Sequence, residues 1–336
     1  MEATELTELA QGLSDLLGLG LVSRLEPVEL QENERGWSGA KLIRQRVIFT
    51  DSTSTTMIFK HTERKERHAM QRLTGQRQCT PASYSPASRE TGWMAMEDLG
   101  HPRIASPCDR VWLEKVAEGL ASIHAANLEK GSEMPWLPVA DDAYWHSVIT
   151  RLSVDHFRRK MEQDPGFSHE FGKYLPRLEE AAVQFEKDMC ALSRESGCLT
   201  LTHGDLQTQD GAHIYACGGK PRIIDFGFCR YAPLYIDLAG WFTAEELPIY
   251  YDALTAKGFS LPYGEFEERS RAAFRYNGFI YLYPSIMDWQ NGPTERTGKR
   301  LLQALYIIMT GDFPERRRDY SGGLFSRLLG EHQQVR

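Results

Sequence analysis

Cysteine is sparse in this 336-residue chain, and its six copies (79, 108, 190, 198, 217 and 229) show no pairwise metal-ligand spacing. That excludes a zinc-ribbon or disulfide-built scaffold and fits reduced, mostly buried thiols. Positive charge is also short: 39 Lys and Arg stand against 46 Asp and Glu, for a net charge of -7. A general nucleic-acid binder carries the opposite balance, so no nucleic-acid partner is expected. No apolar run approaches the length needed to cross a bilayer, so no membrane role is expected either. Glu2, Glu5 and Glu8 stand where a secretory leader needs Lys or Arg, which points to the cytoplasm. Internal repeats and low-complexity tracts are missing. The remaining composition, 41% hydrophobic and 25% charged, is that of a globular protein with ample core for two lobes or two modest domains.

The chain is organised around Leu201-Thr202-His203-Gly204-Asp205-Leu206-Gln207-Thr208-Gln209-Asp210 and, after a short gap, Pro221-Arg222-Ile223-Ile224-Asp225-Phe226-Gly227. Leu199 to Thr202 is a short β-prone run broken by His203-Gly204-Asp205. His213 to Ala216 and Arg222 to Ile224 are two more, separated by a turn at Cys217 to Lys220. Strand ends therefore deliver Asp205, Asp210 and Asp225 to one place. Crowded carboxylates repel unless cations sit among them. Mg²⁺, which prefers one or two carboxylates plus substrate phosphates, suits such a site. In phosphoryl transfer one Asp orients and deprotonates the acceptor hydroxyl while another holds the metal on the phosphates. Asp205 is assigned the first role, as the catalytic residue, and Asp225 the second.

The pair resembles the catalytic and metal-binding motifs of the aminoglycoside phosphotransferase and choline kinase family, small-molecule relatives of protein kinases. The family run is His-Gly-Asp-Leu-His-Pro-Gly-Asn, and here it reads His203-Gly204-Asp205-Leu206-Gln207-Thr208-Gln209-Asp210. Asp210 thus stands where the family has Asn as second metal ligand. It still offers an oxygen but adds negative charge near the γ-phosphate. The resemblance covers residues 25–290 and implies an α+β, protein-kinase-like two-lobed fold. Residues 1–100 would form an antiparallel-sheet N-lobe with one helix and the hinge. Residues 101–336 would form a mostly helical C-lobe carrying the motifs and the acceptor region. It further implies ATP (or GTP) and Mg²⁺ as cofactors, with a small-molecule hydroxyl compound as acceptor.

The rest of the chain supplies candidates for these parts. An amphipathic helix spans residues 4–18, with Leu6, Leu9, Leu13, Leu16 and Leu17 inward. Gly36, Ser38 and Gly39 lie in a small-residue turn between two strand runs, where backbone N–H groups can close over phosphates. Lys60 ends the β-branched run from Thr55, from which its ammonium reaches the α- and β-phosphates. In the helix over 63–73, Glu66 leads Met70 and Leu73 along one face, and is assigned to hold Lys60, with Glu63 the runner-up. The Trp93-to-Gly100 segment resembles the last N-lobe strand and hinge. Backbone groups of Glu97 and Leu99 are the expected adenine readers, with Met96 beside them. A helix over 111–126 is expected to turn Trp112, Val116, Leu120 and Ile123 inward, with His124 structural, and two or three helices fill 143–196. His203 and Asp237 take supporting roles, Asp237 as the N-cap of an apolar helix. Later helices are expected over 247–254, 266–283 and 297–311. Tyr283, Asp288 and Trp289 are kept as acceptor contacts through stacking or cation–π attraction, against a plainer reading as packing.

Three functions follow, two of them enzymatic and the third a binding role. The leading one is phosphorylation of an aminoglycoside-like antibiotic or other natural product. The others are a metabolic kinase for choline, an amino alcohol or a sugar, and a catalytically impaired nucleotide-binding protein.

Overall fold

The computed structural model describes residues 3–30, 41–86, 90–100, 109–206 and 213–312. Strands β1 (Val22–Val28), β2 (Leu42–Phe49), β3 (Ser54–Glu63), β4 (Ser83–Tyr84) and β5 (Thr91–Glu97) form one antiparallel sheet in the order β1-β2-β3-β5-β4. Alternation along β3 decides what each face does. Met57 and Phe59 point to one side, buried with Val47, Phe49 and Ala95 against Leu9, Ala10 and Leu13 of helix α1 (Ala3–Leu17). Leu16, on the flank of that apolar stripe in the last turn, stays 49% exposed. Lys60 and Thr62 alternate to the opposite face.

Helix α2 (Arg64–Gly75) begins on the residue after β3, so the short separation of Lys60 and Glu66 is a direct strand-to-helix passage. Glu63 therefore ends the strand, and its carboxylate pairs with Lys65 at 3.2 Å while remaining 66% exposed. Helix α3 (Arg110–Asn127) is capped by Asp109, whose carboxylate accepts the Trp112 N–H. Leu113 takes the buried place expected for Trp112, which is only half-buried and lies under the Lys115 ammonium. The remaining strands form two antiparallel pairs, β6 (Leu199–Thr202) with β9 (Arg230–Pro233) and, between them in the chain, the hairpin of β7 (Ile214–Cys217) and β8 (Lys220–Ile223). Cys79, Cys190, Cys198, Cys217 and Cys229 are all free thiols, and burial pushes Cys79 up to about 12.

The chain divides into two compact units. One comprises Met1–Val139, Ser196–Leu234 and Asp252–Ser260, and the other Ala140–Glu195, Tyr235–Tyr251 and Leu261–Arg336. The described part of the second is helical. Helix α4 (Asp142–His146) runs through a π-helical segment (Ser147–Val154) into α5 (Asp155–Gln163), followed by α6 (Pro165–Phe171) and α7 (Leu175–Leu192). The Ser153 hydroxyl lies 2.8 Å from the Val148 carbonyl and 3.0 Å from that of Phe279, linking the π-helical segment to a later helix. Helix α8 (Leu247–Thr255) follows, then α9 (Tyr263–Ala273), α10 (Tyr276–Asn291) and α11 (Glu295–Thr310). The expected single helix over 266–283 is thus two, and its second half runs past Pro284 rather than stopping there. Pro284 removes one internal hydrogen bond without ending α10.

Helices α10 and α11 meet at Gly278. A Cβ there would sit 2.7 Å from the Ile308 side chain and 2.9 Å from the Ala304 carbonyl oxygen. Since backbone cannot yield as a flexible side chain does, Gly278→Ala is expected to cost about 1–3 kcal/mol. Thermal unfolding of the variant should show the loss, whereas Gly75→Ala, which meets nothing within 4 Å, should not.

Candidate active site

Lys60 is the centre of a charge cluster built from three elements. Its ammonium donates to Glu66 Oε1 and to Asp225 Oδ1, both at 2.6 Å. Strand alternation also aims Thr62 at the same place, and its hydroxyl donates to Glu66 Oε2. Lys60 keeps 9% of its side-chain exposure, Glu66 2% and Asp225 41%. Burial alone would lower Lys60, but the two carboxylates outweigh it and hold the ammonium up at about 12. Burial likewise opposes ionisation of Asp225, yet the Lys60 ammonium, foremost among the groups favouring it, brings it down to about 2. Glu66 moves the other way: burial dominates, Asp225 adds repulsion, and Lys60 only partly offsets them. One ammonium shared by two carboxylates leaves this trio with a net negative charge.

Asp225 follows β8 in a left-handed turn at φ 66 and ψ 59, a region Asp tolerates better than most side chains. The turn continues as a 3₁₀ helix over Phe226–Phe228. Against it lies the loop after β6. Gly204 holds φ 76 there, and a Cβ would fall 2.5 Å from the Phe228 carbonyl oxygen. Only glycine fits this close approach. His203 ties the two loops together: its Nε2–H donates to the Ile224 carbonyl at 2.8 Å, and its Nδ1 accepts the Asp205 N–H at 3.2 Å. These partners fix a neutral ring with the proton on Nε2. His213, which no sequence pattern singled out, does the reciprocal job. Its Nδ1–H donates to the Asp205 carbonyl at 2.8 Å while Nε2 lies 3.9 Å from Asp225 Oδ2. The two imidazoles stack with centroids 5.1 Å apart. The structure therefore brings Lys60, Glu66, Asp225, His203 and the Asp205 backbone into one network.

Gly36, Ser38, Gly39 and Asp210 lie outside the described residues. Met96 pairs with Ile58 and Ser83 inside the sheet. The Glu97 N–H is already given to the Ala82 carbonyl at 3.0 Å, and the Glu97 carboxylate accepts the Ala82 N–H at 2.6 Å. A base meeting Glu97 would thus have to use its carbonyl, leaving the donor role to Leu99. Between them, Asp98 forms a two-pronged ion pair with Arg44, with Nε to Oδ2 at 2.8 Å and Nη2 to Oδ1 at 3.2 Å, tying β2 to the end of β5. Tyr283, Asp288 and Trp289 belong to the helical unit and have partners there. The Tyr283 ring meets His156 at 4.5 Å, Asp288 pairs with Arg300 at 3.2 Å, and Trp289 packs edge-on to Phe171 at 5.0 Å. Asp237 ends a buried 3₁₀ turn, Leu234–Asp237, and no regular helix begins until Leu247, so it does not cap one.

Comparison with known proteins gives this geometry a setting. Residues 30–274 match the model of the phosphotransferase enzyme family, APH. No curated protein sequence matches the chain. Spectinomycin phosphotransferase APH(9)-Ia, solved with ADP and spectinomycin, aligns with a TM-score of 0.58 at 14% identity, covering 93% of this chain and 98% of its own. Choline kinase from Cryptosporidium parvum Iowa II gives 0.57 at 11%, over 84% and 88%. Ethanolamine kinase from Plasmodium vivax gives 0.56 at 11%, over 86% and 84%. These likenesses show the fold, a protein-kinase-like one with an antiparallel-sheet N-lobe and a mostly helical C-lobe.

Removing the shared ammonium should be costly. Lys60→Ala strands the buried Glu66 charge and is expected to lose about 3–5 kcal/mol in urea unfolding, most of it recovered in Lys60→Met with Glu66→Met. The pH dependence has two limbs. Asp225 is depressed from 3.8 to about 2, so its contribution is complete above about pH 4 and fades as pH falls toward 2. Lys60 is raised from 10.5 to about 12, so its contribution holds below 10.5 and is lost as pH climbs through 12. Glu66, raised from 4.5, works against the acid limb. Unfolding of ligand-free wild type against Asp225→Asn between pH 2 and 5 isolates the Asp225 part, and the gap between them should narrow toward the acid end.

Proposed function

The chain belongs to the phosphotransferase enzyme family, and on that premise we propose that it moves the γ-phosphoryl group of ATP to a hydroxyl of a small molecule. The observation that carries this is the Lys60 ammonium lodged between Glu66 and Asp225 beside the loop of Asp205. A triphosphate entering a trio of net negative charge needs further cations. Among the described residues no three His, Cys, Asp or Glu side chains are grouped to hold a metal alone. An ionised, partly exposed Asp225 nonetheless fits a cation that takes its other ligands from phosphate oxygens and water. Mg²⁺ bound there would neutralise charge on the β- and γ-phosphates, with Asp210 as a further oxygen donor.

Lys60 then serves the α- and β-phosphates, steadied by Glu66. Gly36, Ser38 and Gly39 are the proposed contacts over the phosphates. The Glu97 carbonyl accepts from the exocyclic amine of adenine, and the Leu99 N–H meets a ring nitrogen, with Met96 as apolar neighbour. Asp205 accepts the proton of the attacking hydroxyl and aligns it. Because the transition state is loose, most of the acceleration comes from position and charge rather than from the basicity of Asp205. Residues 1–100 act as the nucleotide lobe and 101–336 as the catalytic and acceptor lobe. Among the described residues no helix is long and apolar enough to cross a membrane, and the cytoplasm, as a source of ATP, is the proposed location.

For the acceptor, an aminoglycoside-like antibiotic or other natural product is the first reading, supported by the spectinomycin phosphotransferase likeness. Choline or another amino alcohol is the second, supported by likenesses of nearly equal score to choline and ethanolamine kinases. An amine beside a hydroxyl is common to both. The test is ATP consumption against a panel of aminoglycosides, aminocyclitols, amino alcohols and sugars. Asp205→Ala should keep ADP affinity within about twofold and lower turnover by about 10²–10⁴. Equal loss of nucleotide binding and turnover would remove Asp205 from the chemistry. Nucleotide binding with no acceptor ever phosphorylated would favour an impaired binding protein.

A further inference from the structure

His213 stands at the junction of Asp205 and Asp225, and its two nitrogens face different tasks. Nδ1–H is committed to the Asp205 carbonyl at 2.8 Å. In the neutral ring this leaves the lone pair on Nε2, which lies 3.9 Å from Asp225 Oδ2. That gap exceeds a hydrogen bond. It approaches the spacing of two donors on one cation: metal–ligand bonds of about 2.1 Å put neighbouring donors about 3.0–3.4 Å apart. A shift of about half an ångström in either side chain closes the difference. An imidazole whose other N–H is anchored on a backbone carbonyl is also how metal-binding histidines are oriented. The ring keeps 16% of its side-chain exposure, and it stacks on His203, whose own nitrogens are both engaged within the loops.

We propose that His213 Nε2 and Asp225 Oδ2 are joint ligands of the active-site divalent cation, making a mixed nitrogen–oxygen site. This rests on the phosphotransfer reading, and deepens it by naming the cation class. Mg²⁺ favours oxygen ligands, whereas imidazole suits first-row transition ions. The site accordingly prefers Mn²⁺ or Co²⁺ to Mg²⁺, with phosphate oxygens and water completing the shell.

The test is electron spin-echo modulation on Mn²⁺ in the full-length protein with ADP, comparing natural-abundance protein with protein carrying ¹⁵N-histidine. Nitrogen modulation that changes isotope signature in the wild type and vanishes in His213→Asn is the expected result. His213→Asn keeps a donor for the Asp205 carbonyl while replacing nitrogen by oxygen. Its affinity for Mn²⁺ should fall about tenfold or more, with that for Mg²⁺ held or improved. Mn²⁺ and ADP bound with no histidine signal would overturn this assignment and leave the phosphotransfer reading standing. Failure of the wild type to bind Mn²⁺ with ADP at all would overturn both.

Discussion

One ammonium divided between two carboxylates is the constraint on which the described site depends. Lys60 arrives from β3, Glu66 from the first turn of α2, and Asp225 from the turn after β8, so one point of contact joins residues 165 positions apart in the chain. Such clusters are seldom the cheapest way to fill an interior, because apolar side chains of like volume often do as well or better. A thermodynamic optimum would not keep three formal charges here with Glu66 almost wholly desolvated. What the arrangement provides is a cation held at a fixed place and a carboxylate kept ionised well below neutral pH. Both suit the phosphate chemistry proposed for this site.

The local order of the chain explains why this cluster was readable in advance. Lys60 ends a β-branched run, and the two-residue period of a strand sets its face once Met57 and Phe59 are buried on the other. Glu66 was visible through helical spacing with Met70 and Leu73. The loops of Asp205 and Asp225 were visible because Gly204 and the strand-ending Asp are sharp local signals. His213 was not: a single histidine ahead of a four-residue strand has no period to betray it, and its importance arises only when two loops fold together. The break between α9 and α10 was equally hidden, since Phe274 and Arg275 carry no glycine or proline. Pro284 misled in the opposite sense, because packing along α10 outweighs the one hydrogen bond that the ring removes. Asp237, with its cap-like sequence context, is buried in a 3₁₀ turn instead.

The two halves of a phosphotransferase differ in how much physics constrains them. Phosphate chemistry demands particular charges at particular distances, so it leaves a recognisable trace in spacing. Acceptor recognition demands only a complementary surface, which many side chains can build. The aromatic stretch of α10 illustrates this. Its rings close on Phe167, Phe171, Phe185 and His156 within the helical unit. Density of aromatics along a sequence therefore measures helix packing here before it measures ligand contact.

The π-helical segment between α4 and α5 sets the rotational phase of α5 relative to α4. An α-helix advances about 100° per residue, so one residue accommodated in a widened turn rotates the following face by roughly that angle. Phe157, on α5 just after this segment, is wholly buried. The hydroxyl of Ser153, within reach of the Val148 and Phe279 carbonyls, links this segment to α10.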